Sequence, residues 1–469
     1  MGASERFERY MEHLSSGLGH ADRQAGLKGY CTGLMLPLAR KSVEPMAARI
    51  DPLHASARHQ ALHHFVAQAR WSDEEMMRRV AQWVVPRMRT ADGAFWIIDD
   101  TAIPKKGRHS VGVARQYCGV LGKQDNCQVA VSISVATEQA SLPVAYRLYL
   151  PREWAQDAQR RRKAEVPPDV VFATKTQIAL DQLEFLLAQG APKHCVLADA
   201  GYGVDHAFRQ RLTDLGLEYV VGVTSTVVVW PPGVEPLPPK QYAGRGRPPV
   251  AARRTRTRYP ISVRELALKL PSSAFQQISW REGTNEVLSG RFAAVRVRYA
   301  GSLRHKQRVH PEQWLLIKWP IGEAEPQKYY LSTLPADTPL NDLVAKAHMR
   351  WRIERDYQDL KQELGLDHYE GRGWRGFHHH ASLTIAAYGF LVSERIAAGK
   401  TTGAKKNFIE RQMPALPADY VPRGRPARTA PRARFAHHHS PQTQLSSDRK
   451  SRSMSLLRQT KRKVPFLTQ

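Results

Sequence analysis

Residues 94–100 read AFWIIDD, an apolar run that ends on two aspartates. Three similar segments follow, each rich in β-branched or aromatic residues and separated from the next by Gly, Pro, Asn or Asp: VGVARQY (111–117), QVAVSISVA (128–136) and PVAYRLYL (143–150). This composition and spacing predict four adjacent β-strands. AFWIIDD is then the first strand of a sheet, and its two aspartates lie where its apolar run ends.

The next part of the chain alternates between helix and strand. Helical patterns at 176–189 and 205–216 are each followed by a short apolar run, HCVLAD (194–199) and EYVVGVTS (218–225). Adjacent strands followed by alternating helices and strands predict an α/β fold whose sheet is antiparallel on one side and parallel on the other. This order is typical of an RNase H-like mixed-sheet catalytic core.

The chain as a whole divides into five segments. We assign residues 1–90 to an all-helical N-terminal domain, 91–225 to the first part of the core, 226–325 to a β-rich basic insertion, 326–398 to the second part of the core and 399–469 to a basic tail. The tail is polar and rich in Pro, a composition that predicts disorder. The helical domain is either a DNA-binding module or a packing bundle, and its sequence leaves both interpretations open.

The charge balance indicates a polyanionic partner. The chain carries 70 Lys and Arg against 43 Asp and Glu, a net charge of +27. No apolar run approaches the ~20 residues of a membrane span, so nucleic acid is favoured over a membrane surface. The four cysteines are scattered without a Cys-x-x-Cys pair, which favours reduced thiols in a cytosolic protein.

Three acids are placed where such a sheet would bring them together. Asp99 or Asp100 follows the strand AFWII, Asp199 follows the strand HCVLA, and Glu354 lies on a late helical segment predicted to run from 341 to 366. Carboxylates at strand ends can hold the two divalent ions used in phosphoryl transfer. Any single aspartate after a strand is more often a turn or cap residue, so the hypothesis depends on the combination.

The late helix carries more polar residues on one face. In HMRWRIERDYQDLK (348–361), Arg350, Glu354, Tyr357 and Lys361 recur at helical spacing. Such a pattern fits either a surface ladder of ion pairs or one wall of a catalytic site. Spacing alone does not distinguish the two.

Longer motifs carry a resemblance to a known family. They are IIDDT (97–101), KKGRHSVGVARQYCGVLGKQDNCQVAVS (105–132), LYLPREW (148–154), FATK (172–175), LADAGYG (197–203) and RWRIERDYQDLKQELGLDHYEGRGWRGFHHH (350–380). With them the chain resembles bacterial insertion-sequence transposases of the DDE class, in the IS-four superfamily and most like its IS-seven-hundred-and-one branch. The resemblance extends over about residues 20–395.

The superfamily signature can be placed on the late helix residue by residue. Arg350, Glu354 and Lys361 have the spacing of its Arg, catalytic Glu and Lys, whereas Ala347 stands where the signature has Tyr. The family pattern at the first aspartate selects Asp99. Asp100 remains the alternative, because a shift of one residue turns a side chain to the other face of a strand.

The resemblance implies a transposase that cuts and rejoins DNA at the ends of an insertion sequence. Asp99, Asp199 and Glu354 would hold two Mg²⁺ ions, with Mn²⁺ as a substitute, and Arg350 and Lys361 would contact phosphate. The partners would be the terminal inverted repeats and target DNA, bound by a homodimer or larger synaptic assembly in the bacterial cytoplasm, near the nucleoid. A metal-dependent RNase H-like nuclease and a catalytically decayed DNA-binding repressor are the alternatives.

Further basic residues could contact DNA. Lys105 and Lys106 follow the first strand, and a basic pair of this kind is either a phosphate contact or a solvated loop. GRGRPP (244–249), with Arg245 and Arg247, and PRGRP (422–426) resemble extended hooks whose arginines enter an A·T-rich minor groove.

Overall fold

Strand β1 (Phe95–Pro104) is an interior strand of a mixed sheet in the computed structural model, which describes residues 2–248, 253–282, 287–301 and 309–399. The predicted tail from residue 400 onward and the hook at 422–426 lie outside the described residues, as does Pro249 of the first hook. All described residues belong to one compact unit.

Five helices precede the sheet, as the sequence predicts for the N-terminal segment. They are α1 (Ala3–Ser15), α2 (Ala21–Met35), α3 (Val43–Ile50), α4 (Ala55–Ala67) and α5 (Asp73–Val84). Helix α5 begins where its sequence indicates, because the side chain of Ser72 accepts a hydrogen bond from the Glu75 N–H. An acidic first turn after this cap suits the helix dipole.

The predicted strand run is present. It consists of β1, β2 (Ala114–Cys118), β3 (Lys123–Ala136) and β4 (Ser141–Leu148), followed by α6 (Arg152–Ala155), α7 (Ala158–Lys163), α8 (Lys175–Ala188), β5 (Cys195–Ala198), α9 (Ala200–Gly203), α10 (His206–Asp214) and β6 (Tyr219–Val223). Strand β1 pairs antiparallel with β3 and parallel with β5, and β5 pairs parallel with β6. The sheet is therefore mixed, as predicted, and the fold is α/β.

The β-rich segment continues the same sheet. Its elements are β7 (Val228–Trp230), β8 (Ile261–Ser262), α11 (Val263–Lys269), β9 (Gln276–Glu282), β10 (Val287–Tyr299) and β11 (Glu312–Trp319), and β12 (Lys328–Ser332) follows it. Strand β12, which the sequence did not predict, pairs with β6 on one side and β11 on the other. The strand order is β2-β3-β1-β5-β6-β12-β11-β10-β7-β8, with β4 on β3 and β9 on β10.

The late helical segment differs from its prediction. A single helix from 341 to 366 is wrong, because the segment divides into α12 (Leu340–His348), α13 (Trp351–Gln358) and a π-helix (Asp359–Glu363). Wide π turns inside helices are rare and occur often at functional sites. Here the π-helix follows the Glu354 turn directly and carries Lys361.

Helix α14 (Trp374–Ala397) is the buried helix that joins the N-terminal helices to the sheet. It packs against α2, α4 and α5 as well as β4. Its three consecutive histidines are buried, and each ring is hydrogen bonded within the protein: His378 to the Leu148 N–H, His379 to the Val66 and Trp71 carbonyls, His380 to Tyr30 and Gly365. These rings hold the helical and sheet layers together.

Two further observations concern the chain as a whole. All four cysteines are free thiols, three of them buried. None of the helices in the described residues combines the length and the apolar character needed to cross a membrane.

Candidate active site

Asp99 lies in the middle of β1, next to the point where β5 ends. In the register of the two parallel strands Ile98 is opposite Ala198, so Asp99 and Asp199 are the next residues on adjacent strands. Carboxyl ends of parallel strands collect ligand-binding groups in open α/β sheets. The sheet therefore brings together the two aspartates that the sequence selected.

Asp199 begins the short helix α9. Its Oδ1 accepts hydrogen bonds from the N–H groups of Gly201 at 2.9 Å and Tyr202 at 3.3 Å. The cap interpretation is thus correct for this oxygen. Oδ2 accepts no hydrogen bond from any residue that the structure describes, so it is the oxygen that a ligand would meet.

Glu354 is linked to Asp99 through an arginine. The Arg350 Nη1 lies 2.9 Å from Asp99 Oδ2, and its Nη2 lies 2.8 Å from Glu354 Oε1. The side chain of Glu354 is 62% exposed, whereas that of Asp99 is only 16% exposed. One guanidinium therefore bridges a buried acid on the sheet and an exposed acid on α13.

The pKa values of Asp99 and Arg350 reflect a concentration of negative charge at this site. Burial raises the pKa of the Asp99 carboxyl to about 7, with Arg350 opposing the rise and the charges of Asp199 and Asp100 adding to it. For Arg350, burial favours the neutral form, but the carboxylates of Asp99 and Glu354 prevail and raise its pKa. Negative charge is thus concentrated here, and Arg350 compensates part of it.

A divalent ion fits the donor set, although the acids are not grouped as a ready cluster. In the described part of the chain, no three His, Cys, Asp or Glu side chains are arranged to hold a metal ion. Arg350 lies between Asp99 and Glu354, which accounts for this separation. Three carboxylates, one of them with an uncommitted oxygen, are hard oxygen donors of the kind that Mg²⁺ and Mn²⁺ prefer.

The comparisons with known proteins agree with this geometry. A family described as DDE superfamily endonuclease matches residues 13–287, more than half of the chain. The chain belongs to this family. The resemblance inferred from the sequence is thereby confirmed, and family membership implies a general dependence on divalent metal.

A curated relative adds a more specific likeness. The chain is 32% identical over 194 residues to a protein from Microchaete diplosiphon described as "Probable transposase for insertion sequence element IS701". The match covers 41% of this chain and 47% of the relative, so it spans about half of the relative's length. The DDE family match contains Asp99 and Asp199 and ends before Glu354.

Asp100 faces a different neighbour from Asp99. Its Oδ2 lies 2.8 Å from the Nζ of Lys175, at the start of α8. Because successive strand residues point to opposite faces, Asp99 and Asp100 contact opposite sides of the sheet. In this DDE protein the contact with Arg350, and through it the link to Glu354, belongs to Asp99. The sequence did not single out Lys175, although this residue is the last of the motif FATK.

Tyr357 and Lys361 hold the helix against β1. The Tyr357 hydroxyl lies 2.5 Å from the Oγ of Ser132, which is opposite Asp99 in the strand register. The Lys361 Nζ donates to the Ala102 carbonyl at 2.9 Å, and burial lowers its pKa. Arg350, Tyr357 and Lys361 therefore all contact β1, whereas Glu354 is exposed and is joined to β1 only through Arg350. These contacts exclude a simple surface ladder.

Tyr330 lies near these residues, although the sequence did not single it out. It lies on β12 opposite Gly222, whose backbone packs against that of Asp199 and Ala200. Burial raises the pKa of Tyr330, while the charge of Arg350 lowers it and that of Glu354 raises it. Only the register of the unpredicted strand β12 could have revealed this position.

The remaining basic candidates occupy different settings. Lys105 is half-buried and donates to the Tyr369 carbonyl at 2.6 Å, and burial lowers its pKa. Lys106 is exposed. Arg245 and Arg247 lie in an exposed loop, but Gly244 and Gly246 have φ of +80° and +75°, so the predicted extended hook is bent in this structure.

Proposed function

We propose that this DDE family member is a transposase that cleaves DNA at the ends of an insertion sequence and joins those ends to target DNA. The observation that carries the proposal is the placement of three acids from distant parts of the chain. Asp99 on β1 lies beside Asp199 after β5, and Arg350 links Asp99 to Glu354 on α13. The likeness to a probable transposase supports it.

In the proposed mechanism two aspartates have fixed positions, and the third acid, Glu354, can change its side-chain conformation. Asp99 and Asp199 are fixed by the strand register and by the α9 cap, whereas Glu354 is exposed and can turn toward them. We propose that these three carboxylates would hold two Mg²⁺ or Mn²⁺ ions. Bound divalent ions would activate the attacking oxygen and stabilise the leaving oxygen in phosphoryl transfer.

The neighbouring side chains orient this set and bind the DNA. Arg350 carries five donors in a planar fork, so it can hold a phosphate oxygen as well as a carboxylate. Tyr330 lies on β12 opposite Gly222, whose backbone packs against that of Asp199 and Ala200, and we propose that it serves in place of the Tyr that the signature has at Ala347. Lys361 fixes the backbone of β1 at Ala102, three residues beyond Asp99.

The fold and the surroundings of the site support an RNase H-like core. The order β4-β3-β1-β5-β6, antiparallel up to β1 and parallel beyond it, is the order expected for that fold. We propose that residues 91–225 and 326–398 form this core, with 226–325 as a basic insertion and 1–90 as a DNA-binding helical domain. Lys106, Arg245 and Arg247 would contact terminal-repeat or target DNA, which we expect a dimer or larger assembly to pair in the cytoplasm.

A gel assay with end-containing duplexes tests the proposal. Purified full-length protein with Mn²⁺ or Mg²⁺ is expected to nick intact ends and to join pre-cut ends to a second duplex, and Asp199→Asn is expected to abolish both products. Nicking without joined product would favour a metal-dependent nuclease instead. Equal DNA binding by wild type and Asp199→Asn, with neither product from the wild type, would favour a decayed repressor.

A further inference from the structure

Exposed basic side chains from three separate segments meet beyond the carboxyl end of β1. They are Lys106 and Arg108 in the loop after β1, Arg162 and Lys163 at the end of α7, and Arg372 before α14, and all are exposed. We call these five residues the basic surface. Its members lie up to 266 positions apart in the sequence (372 − 106), so only the fold brings them together.

Hydrogen bonds hold the three segments beside one another. The Arg160 Nη2 donates to the Arg108 carbonyl at 3.4 Å, which joins α7 to the loop. The Val111 N–H donates to the Arg372 carbonyl at 3.0 Å, and the Trp374 N–H donates to the Ala164 carbonyl at 2.8 Å. The guanidinium of Arg160 also lies over the Trp154 ring at 3.8 Å, which anchors α7. The cations are thus presented from a fixed backbone.

The charge of the basic surface is not neutralised within the described residues. None of its five side chains takes part in an ion pair or a hydrogen bond there. The nearby acids are engaged elsewhere: Glu165 pairs with Arg375, Glu370 pairs with Arg40, and Asp157 caps the start of α7. A rigid patch of uncompensated cations next to a nuclease-family site favours a polyanion.

We propose that the basic surface binds the sugar-phosphate backbone of the DNA duplex that extends from the acidic site past the end of β1. This inference rests on the proposed function, because that function supplies the DNA. Lys105 lies six residues beyond Asp99 on an extended chain, so the basic surface begins ~20 Å from the acids. At 3.4 Å per base pair this distance corresponds to about six base pairs from the cleaved bond.

The geometry distinguishes the basic surface from the acidic site in its effect on the substrate. Only a duplex that extends far enough from the cleaved bond, on the side that runs past the end of β1, can contact the basic surface. Phosphate contacts carry no base sequence, so they strengthen binding to end-containing and unrelated duplexes alike. A short end substrate would then be cut normally by a protein that lacks the basic surface.

The test compares the salt dependence of DNA binding in two matched double variants of the full chain. Arg108→Gln/Arg162→Gln removes two cations of the basic surface, and Arg89→Gln/Lys193→Gln removes two exposed cations that precede β1 and β5 at the opposite edge of the sheet. Fluorescence anisotropy of a labelled duplex reports the dissociation constant between low and moderate salt. Circular dichroism verifies that both variants are folded.

The expected result is a salt slope reduced by about two for Arg108→Gln/Arg162→Gln and unchanged for the control, since each lost phosphate contact removes about 0.9 from the slope. This reduction of the salt slope should be seen with duplexes that extend about fifteen base pairs on each side of the cleaved bond. It should disappear when the duplex extends only about five base pairs on each side. An unchanged slope, or equal losses in both variants, would overturn the proposal. Because binding is measured without cleavage, a failure of the proposed catalytic function would be seen separately, as absence of cut product.

Discussion

Arg350 and Asp99 form a contact between the start of α13 and strand β1, with 2.9 Å between Nη1 and Oδ2. The same guanidinium holds Glu354, so it occupies the space between two of the three acids. In the absence of metal an internal cation thus stabilises a cluster of negative charge. This relationship makes the metal-free and metal-bound proteins respond differently to loss of Arg350.

Replacing Arg350 with Gln is expected to lower the metal-free free energy of unfolding by about 1–3 kcal/mol, since the buried carboxylate of Asp99 loses its charged partner. Mn²⁺ should bind this variant more tightly than the wild type, because no guanidinium competes for the carboxylates. Denaturation with and without Mn²⁺ measures both effects.

Two matched variants sharpen the Arg350 prediction. Arg350→Lys keeps the charge but has no fork to bridge both acids, so its Mn²⁺ affinity should also exceed that of the wild type. Arg355→Gln removes a cation from the same helix, where its partner is Asp359, and should leave the affinity unchanged. An affinity of Arg350→Lys equal to the wild type would mean that charge alone, not bridging, governs metal binding.

Asp99 and Asp100 should differ in their effects on cleavage. Asp99→Asn is expected to reduce the cleavage rate by roughly a hundredfold or more, because the carboxylate contacts Arg350 beside Asp199. Asp100→Asn breaks an ion pair with Lys175 on the other face and should cost less than roughly tenfold. Single-turnover cleavage of an end-containing duplex gives both rates, and the reverse order would show that Asp100 is the acting residue.

The sequence predicted strands β1 to β6 and the neighbouring positions of Asp99 and Asp199 because both depend on local patterns. Strands β1 to β6 follow from alternation and turn residues, and Asp99 and Asp199 follow from their places after apolar runs. The pairing of β12 with β6, and with it the position of Tyr330, depends on contacts across more than one hundred residues, as between Tyr330 and Gly222. Local propensity carries no information about such a contact.

The break between α12 and α13 could not be read from the sequence for a similar reason. The segment has helical periodicity throughout, and neither Pro nor Gly interrupts it between 341 and 364. Arg350 contacts Asp99 and Lys361 contacts Ala102, so the side chains of this segment must reach two different positions along β1. The helix break and the π turn adjust the register of the segment to those contacts.

A close backbone approach holds the turn after Asp199. A Cβ on Gly203 would lie 2.0 Å from the Gly222 carbonyl oxygen on β6. Gly203→Ala is therefore expected to destabilise the protein by about 1–3 kcal/mol and to lower cleavage by displacing Asp199. Thermal unfolding and cleavage assays measure the two effects. Gly107→Ala, where nothing lies within 4 Å of the added carbon, serves as the control and should change neither.

The buried His380 makes stability depend on pH. Its Nε2 donates to the Gly365 carbonyl and its Nδ1 accepts from the Tyr30 hydroxyl, an arrangement that requires the neutral ring. Burial lowers the pKa of His380 from 6.5 to about 4. A pKa that is lower in the folded state contributes stability above about pH 6.5, and that stability is lost as the pH falls toward 4.

The loss attributable to His380 is expected to reach about 3 kcal/mol by pH 4. His380→Gln keeps a donor and an acceptor without the titration, so its free energy of unfolding should fall less steeply over the same pH range. Chemical denaturation at several pH values between 7 and 4 gives the two curves. Parallel curves would show that His380 does not titrate between them.

The cleavage rate of Glu354→Gln tests the central claim most directly, namely that Glu354 acts with Asp99 and Asp199 as one site. Single-turnover cleavage of an end-containing duplex with Mn²⁺ is compared with that of the wild type and of Glu363→Gln, an acid nine residues later in the π-helix. We predict a loss of roughly a hundredfold or more for Glu354→Gln and little change for Glu363→Gln. Equal cleavage by Glu354→Gln and the wild type would contradict the account.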